Sequence, residues 1–307
     1  MKRSDRKKQK KWPWVLTVVG LAIGGFALSV YFDLTSALKG MYEPIGRPVS
    51  AMREVQIDVS KLEPFSVLVL GVDEREGDKG RSDTMIVLAV NPKLQSTKMV
   101  SIPRDTYTDI VGHGTKDKLN HAYAFGGIEM SMESVEHLLD MPIDYVVEVN
   151  MESFTTIVDA VGGVTVNNAL DFKQDSYHYP AGEITLDGQE ALSYVRMRKG
   201  DPNGDFGRQE RQKQVIHGVL EEGTSLTSLL NYRSVFNTLG DNVKTNMTFD
   251  EMIYVQKNYR DAVGTVEQLR FENGTGKRMN GNVWYYMMDD LELQEISHAL
   301  KHHLELE

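Results

Sequence analysis

Phe65–Val72 reads FSVLVLGV, an uncharged run with Val or Leu at five of its eight positions. An uninterrupted apolar run of this length, rather than an alternating one, predicts a strand buried on both faces. Outward from it, residues 85–90 (MIVLAV) repeat the pattern, and 98–102 give a third strand, stopped by Pro103, which has no N–H for a ladder. Residues 130–139 carry Val135, Leu138 and Leu139 at helical spacing, 144–150 read as a strand, and 152–161 as a helix closed by Gly162-Gly163. A strand at 164–166 and a helix at 209–222 follow. Residues 224–307 are less informative, with helices expected at 249–263 and 291–304 and a strand pair at 265–271 and 283–287. Strands alternating with helices predict a layered α/β domain.

The chain has 307 residues and a net charge of -10, which conceals a split. Residues 1–11 carry Lys2, Arg3, Arg6, Lys7, Lys8, Lys10 and Lys11 against Asp5, a balance of +6, so the remainder carries -16. That is the opposite of a duplex-DNA binder, whose main domain is basic. The absence of cysteine excludes disulfides, thiolate metal sites and a thiol nucleophile. Residues 12–32 contain no charge, enough helix to cross a bilayer core, with Trp12 and Trp14 at one edge and Tyr31 at the other. The basic arm before the span predicts a single-pass type II anchor in the cell membrane, with the C-terminal bulk outside. A cleaved signal peptide, with Ala27-Leu28-Ser29 as its site, is the competing reading. The expected organisation is therefore a cytoplasmic arm (1–11), a transmembrane helix (12–32), an extracellular stalk (33–63) and a catalytic domain (64–307).

No G-x-S-x-G, H-E-x-x-H or P-loop is present. Asp201-x-Asn203-x-Asp205 imitates the start of a calcium loop, but Phe206 and Gln212 stand at its sixth and twelfth positions. What stands out is a set of carboxylates and arginines at element ends. Asp73 follows the first strand and Asp83 precedes the second, a placement able to share Mg²⁺ with substrate phosphates; ordinary turn chemistry explains the same residues. Arg196 and Arg198 would project from one face if their run ends in a strand. Asp205 is a plausible N-cap, placing Arg208 in the first helical turn with Gln212 four residues on. A helix N-terminus and guanidinium forks both suit phosphate, and Arg104 and Arg81 add two more cations. Against this stands simple ion pairing in an acidic domain. Aspartates and arginines without a nucleophile suggest phosphoryl transfer.

The same segments resemble the LytR-CpsA-Psr family of bacterial cell-wall enzymes. The matching stretches are Val69–Arg75, Gly80–Met85, Val100–Asp105, Lys118–Tyr123, Asp159–Val164, Tyr194–Arg198 and Gly207–Gln212, in order, behind a basic arm and an apolar span. Their wording is most similar to the wall teichoic acid transferases of Bacillus relatives. The resemblance implies a three-layer α/β/α domain with a central mixed sheet and an apolar channel for a prenyl tail. It also implies transfer of an anionic glycopolymer, wall teichoic acid first, from undecaprenyl pyrophosphate to the C6 hydroxyl of peptidoglycan N-acetylmuramic acid. Undecaprenyl phosphate is the other product. On this resemblance Asp73 and Asp83 hold Mg²⁺ (or Mn²⁺), and Arg81, Arg104, Arg196, Arg198, Arg208 and Gln212 surround the pyrophosphate. Asp105 is the candidate base; since neighbouring guanidiniums weaken a carboxylate as proton acceptor, Asp73 is the other. Hydrolysis of the lipid pyrophosphate, a non-catalytic carrier-binding module and a membrane-bound transcriptional attenuator are the competing functions.

Overall fold

The computed structural model describes residues 40–46, 50–72, 80–198, 200–222, 243–279 and 281–307. In chain order the first half gives β1 (Phe65–Val72), β2 (Ser82–Asn91), β3 (Ser96–Ser101), β4 (Tyr107–Ile110), β5 (Thr115–Lys118), α1 (His121–Leu139), β6 (Tyr145–Asn150) and α2 (Met151–Ala160). There follow β7 (Val164–Asn168), β8 (Phe172–Gln174), β9 (Tyr177–Tyr179), β10 (Gly182–Leu186), α3 (Gly188–Arg196) and α4 (Asp205–Glu222). The remainder comprises β11 (Val243–Thr245), α5 (Phe249–Asn258), α6 (Arg260–Gly264), β12 (Val266–Leu269), β13 (Thr275–Met279), β14 (Val283–Met287) and α7 (Asp290–His303).

The central sheet is six-stranded, in the order β11-β6-β1-β2-β3-β12. It is mixed: β1 runs parallel to β6 and antiparallel to β2, and β12 runs parallel to β3. The period of two along a strand sorts its side chains between two cores. Leu68, Leu70 and Val72 of β1 join Met85, Val87 and Ala89 of β2 against Met132, Val135 and Leu139 of α1 and Ile296 and Leu300 of α7. On the opposite face Phe65, Val67, Val90 and Tyr145 meet Tyr259 and Ala262 of the α5–α6 segment. Helices thus cover both faces, which is why β1 reads as a continuous apolar run. A separate cluster under the β7–β10 ladder joins Val158, Val164, Phe172, Tyr179, Tyr194 and Val215.

Several expectations are corrected. Asp83 lies inside a strand, because β2 begins at Ser82 to match the end of β1, where Val72 pairs Ser82. The run ending at Arg196 is a helix: Asp187 and Glu190 form a reciprocal capping box that starts α3. The helix over 209–222 begins at Asp205, and α1 begins at His121 with a kink at Gly127, φ 67°. The two strands expected to pair near the C-terminus do not; β12 adds to the central sheet beside β3, while β14 pairs with β13. The expected helix over 249–263 divides at Tyr259, whose φ of -110° is not helical.

The stretch read as a stalk is docked on the domain from Tyr42 onward. Glu43 N–H donates to Thr245 O at 2.9 Å, and Val59 is buried in the core beside Tyr259. Arg53 grips both carboxylate oxygens of Asp144 at 2.6 and 2.8 Å. Among the described residues no helix is long and apolar enough to cross a membrane. The span expected at 12–32 lies outside them, as do Asp73 and the segment 223–242.

Candidate functional site at the strand ends

β1, β3 and β6 end on one side of the sheet, where β2 begins. This is the edge at which open α/β sheets gather ligands. Beyond β3 the chain turns sharply: Thr106 donates to Pro103 O through its N–H at 3.0 Å and through its hydroxyl at 2.6 Å. Arg104 and Asp105 occupy the middle of that turn. Its far side is braced by Leu119 and Asn120, whose N–H groups donate to Thr106 O and Arg104 O. Arg104 reaches Asp83 at 2.7 Å and stands 3.8 Å from the Asp105 carboxylate. The other oxygen of Asp105 takes Lys118 Nζ at 2.7 Å.

The facing wall is the junction of α3 and α4. Arg211 donates to Asp201 at 2.7 Å, to Tyr194 O at 3.1 Å and to Met197 O at 2.5 Å, over the rings of Phe172 and Tyr194. Its side chain and that of Asp201 are almost wholly buried, and together they staple the start of α4 to the end of α3. The same pair explains the false calcium signature: Asp201 serves Arg211 and caps Asn203 N–H, and its carboxylate overlies Gly207 so closely that a Cβ there would lie 1.9 Å from it. Arg198, exposed, follows directly from Met197.

Between these walls lies a cavity of about 320 Å³, lined by Arg104, Asp105, Arg198, Asn203, Gln209, Trp284 and Tyr286 among others. A second cavity of about 350 Å³ shares Asn203 and Gln209 with it and reaches Lys213 and Arg270. Lys213 is buried against Gln268 at 3.2 Å, and burial holds its ammonium below the usual lysine range.

The structure therefore gathers Arg104, Asp105 and Arg198 at one cavity, with Asp83 ion-paired to Arg104. Arg81, Arg196, Arg208 and Gln212 do not line it. Arg81 and Arg196 are exposed, at the entrance to β2 and the last residue of α3; Arg208 and Gln212 lie half-buried on α4. Sequence reasoning did not single out Lys118 or the β13–β14 hairpin. Tyr286 N–H donates to Asp105 O at 2.9 Å, so the hairpin is tied to the turn. Tyr285 on its other face packs edge-on against Tyr107 and reaches Asp117 at 3.3 Å. Burial pushes the Asp117 carboxyl up, but His121 at 2.8 Å and the Lys118 N–H outweigh it and hold the group below the usual range. Lys118 sits in a quoted motif, and only its 2.7 Å contact marks it.

Among the described residues no group of three or more His, Asp or Glu could hold a metal by itself. The donor set that does exist fits Mg²⁺ only in part: one carboxylate, Asp83, already shared with a guanidinium, with the remaining ligands to come from phosphate oxygens and water.

A mixed α/β sheet with helices on both faces and a cleft of guanidiniums and carboxylates beyond its strand ends defines the class of protein. The chain belongs to the LytR_cpsA_psr family, whose model matches residues 28–302. It is 48% identical over 308 residues, covering 99% of both chains, to the polyisoprenyl-teichoic acid–peptidoglycan teichoic acid transferase TagU of Bacillus subtilis. The crystal structure of that TagU superposes with a TM-score of 0.64 over 79% of this chain and 97% of that one. A structure of TagT bound to LI-WTA matches at 33% identity and TM-score 0.72, over 86% and 99% of the two chains. A protein from Enterococcus faecalis described as a transcriptional regulator matches at 38% identity and TM-score 0.73, over 81% and 91%.

Proposed function

We propose that this protein is a teichoic acid transferase. It moves an anionic glycopolymer from a polyisoprenyl pyrophosphate carrier to the C6 hydroxyl of N-acetylmuramic acid in peptidoglycan. The observation that carries the reading is the meeting of Arg104, Asp105 and Arg198 on one cavity beyond the strand ends, in a chain 48% identical along its length to an enzyme named for that reaction.

In this reading the guanidiniums of Arg104 and Arg198 pair with pyrophosphate oxygens, Arg81, Arg196 and Arg208 extend the positive field around the carrier, and the neutral amide of Gln212 offers a hydrogen-bond donor beside them. Asp105 accepts the hydroxyl proton. The freed C6 oxygen forms a bond to the phosphorus next to the polymer, and that phosphorus loses its bond to the bridging oxygen. The bridging oxygen leaves as polyisoprenyl phosphate, and a phosphodiester joins polymer to glycan. Lys118, against the second oxygen of Asp105, holds that carboxylate in place. Asp83, together with Asp73 as the sequence suggests, would hold Mg²⁺ or Mn²⁺, which would supply charge neutralisation at the pyrophosphate. A single N-terminal membrane span at 12–32 would keep the catalytic domain on the outer face beside its lipid donor, raising the effective concentration.

The test is a transfer assay with the full chain in detergent, because the residues from Tyr42 onward pack on the domain. A prenyl-pyrophosphate disaccharide donor and uncross-linked peptidoglycan are supplied. Polymer covalently on the glycan, reduced about 10²- to 10³-fold by Arg104→Ala and abolished by chelation, supports the reading. Release of prenyl phosphate with no glycan product overturns it in favour of hydrolysis. Arg104→Lys is expected to restore little, because a point charge does not replace a fork held between Asp83 and phosphate.

A further inference from the structure

We propose that Trp284 forms the floor of a pyranose-binding subsite for the acceptor glycan, a reading that rests on the transferase activity above. Trp284 is 37% exposed and offers a large amphipathic ring surface to solvent. Its placement is not accidental to the hairpin. Gly276 and Gly274 lie on the same face of the β13–β14 ladder as Trp284 and Tyr286, and the rings lie directly against the glycine backbone. A Cβ at Gly276 would come within 2.6 Å of Trp284 Nε1, and one at Gly274 within 2.2 Å of the Tyr286 ring. The glycines thus seat the indole against the ladder while part of it stays open.

The open side belongs to the cavity that holds Arg104, Asp105 and Arg198. The hairpin cannot drift from that turn: Tyr286 N–H is bonded to Asp105 O at 2.9 Å, and Thr106 and Tyr286 form a parallel bridge. A pyranose presents a face of C–H groups that packs on an aromatic plane, and its exocyclic hydroxymethyl group projects from the ring edge. A muramyl ring on Trp284 would lie in the same cavity as Asp105, where its C6 hydroxyl can be turned toward that carboxylate. A volume of about 320 Å³ lies at the small end of ligand pockets and suits one or two sugar rings.

The chain has three tryptophans, Trp12, Trp14 and Trp284. In full-length protein carrying Trp12→Phe and Trp14→Phe, fluorescence reports Trp284 alone. Titration with a soluble N-acetylglucosamine–N-acetylmuramic acid oligosaccharide, without donor, is expected to give a saturable change. In the transfer assay Trp284→Ala is expected to raise the acceptor KM about tenfold and the donor KM less than about twofold, with Trp284→Phe recovering most of the loss. Lys277→Ala, on the opposite face of the hairpin, keeps the wild-type acceptor KM. Thermal midpoints check folding, and the titration decides the matter if Trp284→Ala unfolds. No fluorescence response, or a rise in donor KM instead, overturns the proposal. Binding of the oligosaccharide by a protein that transfers nothing sinks the transferase reading and leaves the sugar subsite standing.

Discussion

Arg104 and Asp105 owe their position to Pro103. A residue without an N–H ends β3, and the following turn, closed by the Thr106 hydroxyl and N–H on Pro103 O, turns both side chains out of the ladder. Both were legible, because a proline after an apolar run marks a strand end. Lys118 was not: its partner Asp105 is thirteen residues away, and the β4–β5 pairing that sets Lys118 opposite Tyr107, with the bonds from Leu119 and Asn120 to the turn, brings them together. Lys118→Met is expected to lower kcat about ten- to a hundredfold with little change in donor KM, since it disorients a carboxylate rather than removing a phosphate ligand. Steady-state kinetics in both substrates separate those outcomes; a donor KM that rises in step would place Lys118 on the phosphate instead.

The elements that carry the second wall are held by small residues and one buried ion pair. Gly188 opens α3 against α2, its N–H on Asp159 at 2.7 Å, and a Cβ there would lie 2.2 Å from Thr155 O. Asp159, Gly162 and Gly163, quoted as a motif, are structural: Gly163 has φ 95° and faces Leu186 O at 2.9 Å from where a Cβ would stand. Gly188→Ala is expected to destabilise the fold by about 2–3 kcal/mol, visible as a lower urea midpoint at unchanged m. Arg211→Met should cost about 3–5 kcal/mol, because it leaves Asp201 buried and uncompensated. The double variant Asp201→Asn, Arg211→Met should recover part of that loss; strictly additive losses would deny the coupling.

At the scale of the whole molecule, the C-terminal helix closes the sheet against α1 and carries a titratable group into the core. His303 is buried, its Nε2 3.0 Å from Ser96 O, while Asn91 donates to its backbone carbonyl at 2.7 Å. Burial lowers its pKa from 6.5. The unfolded chain therefore binds a proton more readily than the folded one just below 6.5, so this contribution to stability is full above that pH and falls as the pH drops through the window beneath it. His303→Gln, which keeps a donor for Ser96 O, should flatten the fall in unfolding free energy between about pH 6.5 and 5. An equal slope in variant and wild type would assign the acid sensitivity elsewhere. The residues ahead of β1 belong to this scale too. Arg53 and Asp144 form a bidentate, mostly buried pair, and Asp144 also accepts from Ser66 N–H at 2.9 Å. Removal of residues up to 63 should therefore lower the thermal midpoint by several degrees.

The sequence alone determined the positions of the core strands along the chain, the two-sided burial of Phe65–Val72 and the seven motifs that mark the family. All are local: an apolar run, a proline, a glycine pair, each acting on its immediate neighbours. The tertiary structure decided what those residues face. Arg196 and Arg198 leave a capped helix rather than a strand, the C-terminal strands join different sheets, Asp201 serves Arg211, and Trp284 lines one cavity with Arg104. Those outcomes depend on pairing between segments tens to hundreds of residues apart, where register and burial choose among partners that sequence spacing leaves equivalent.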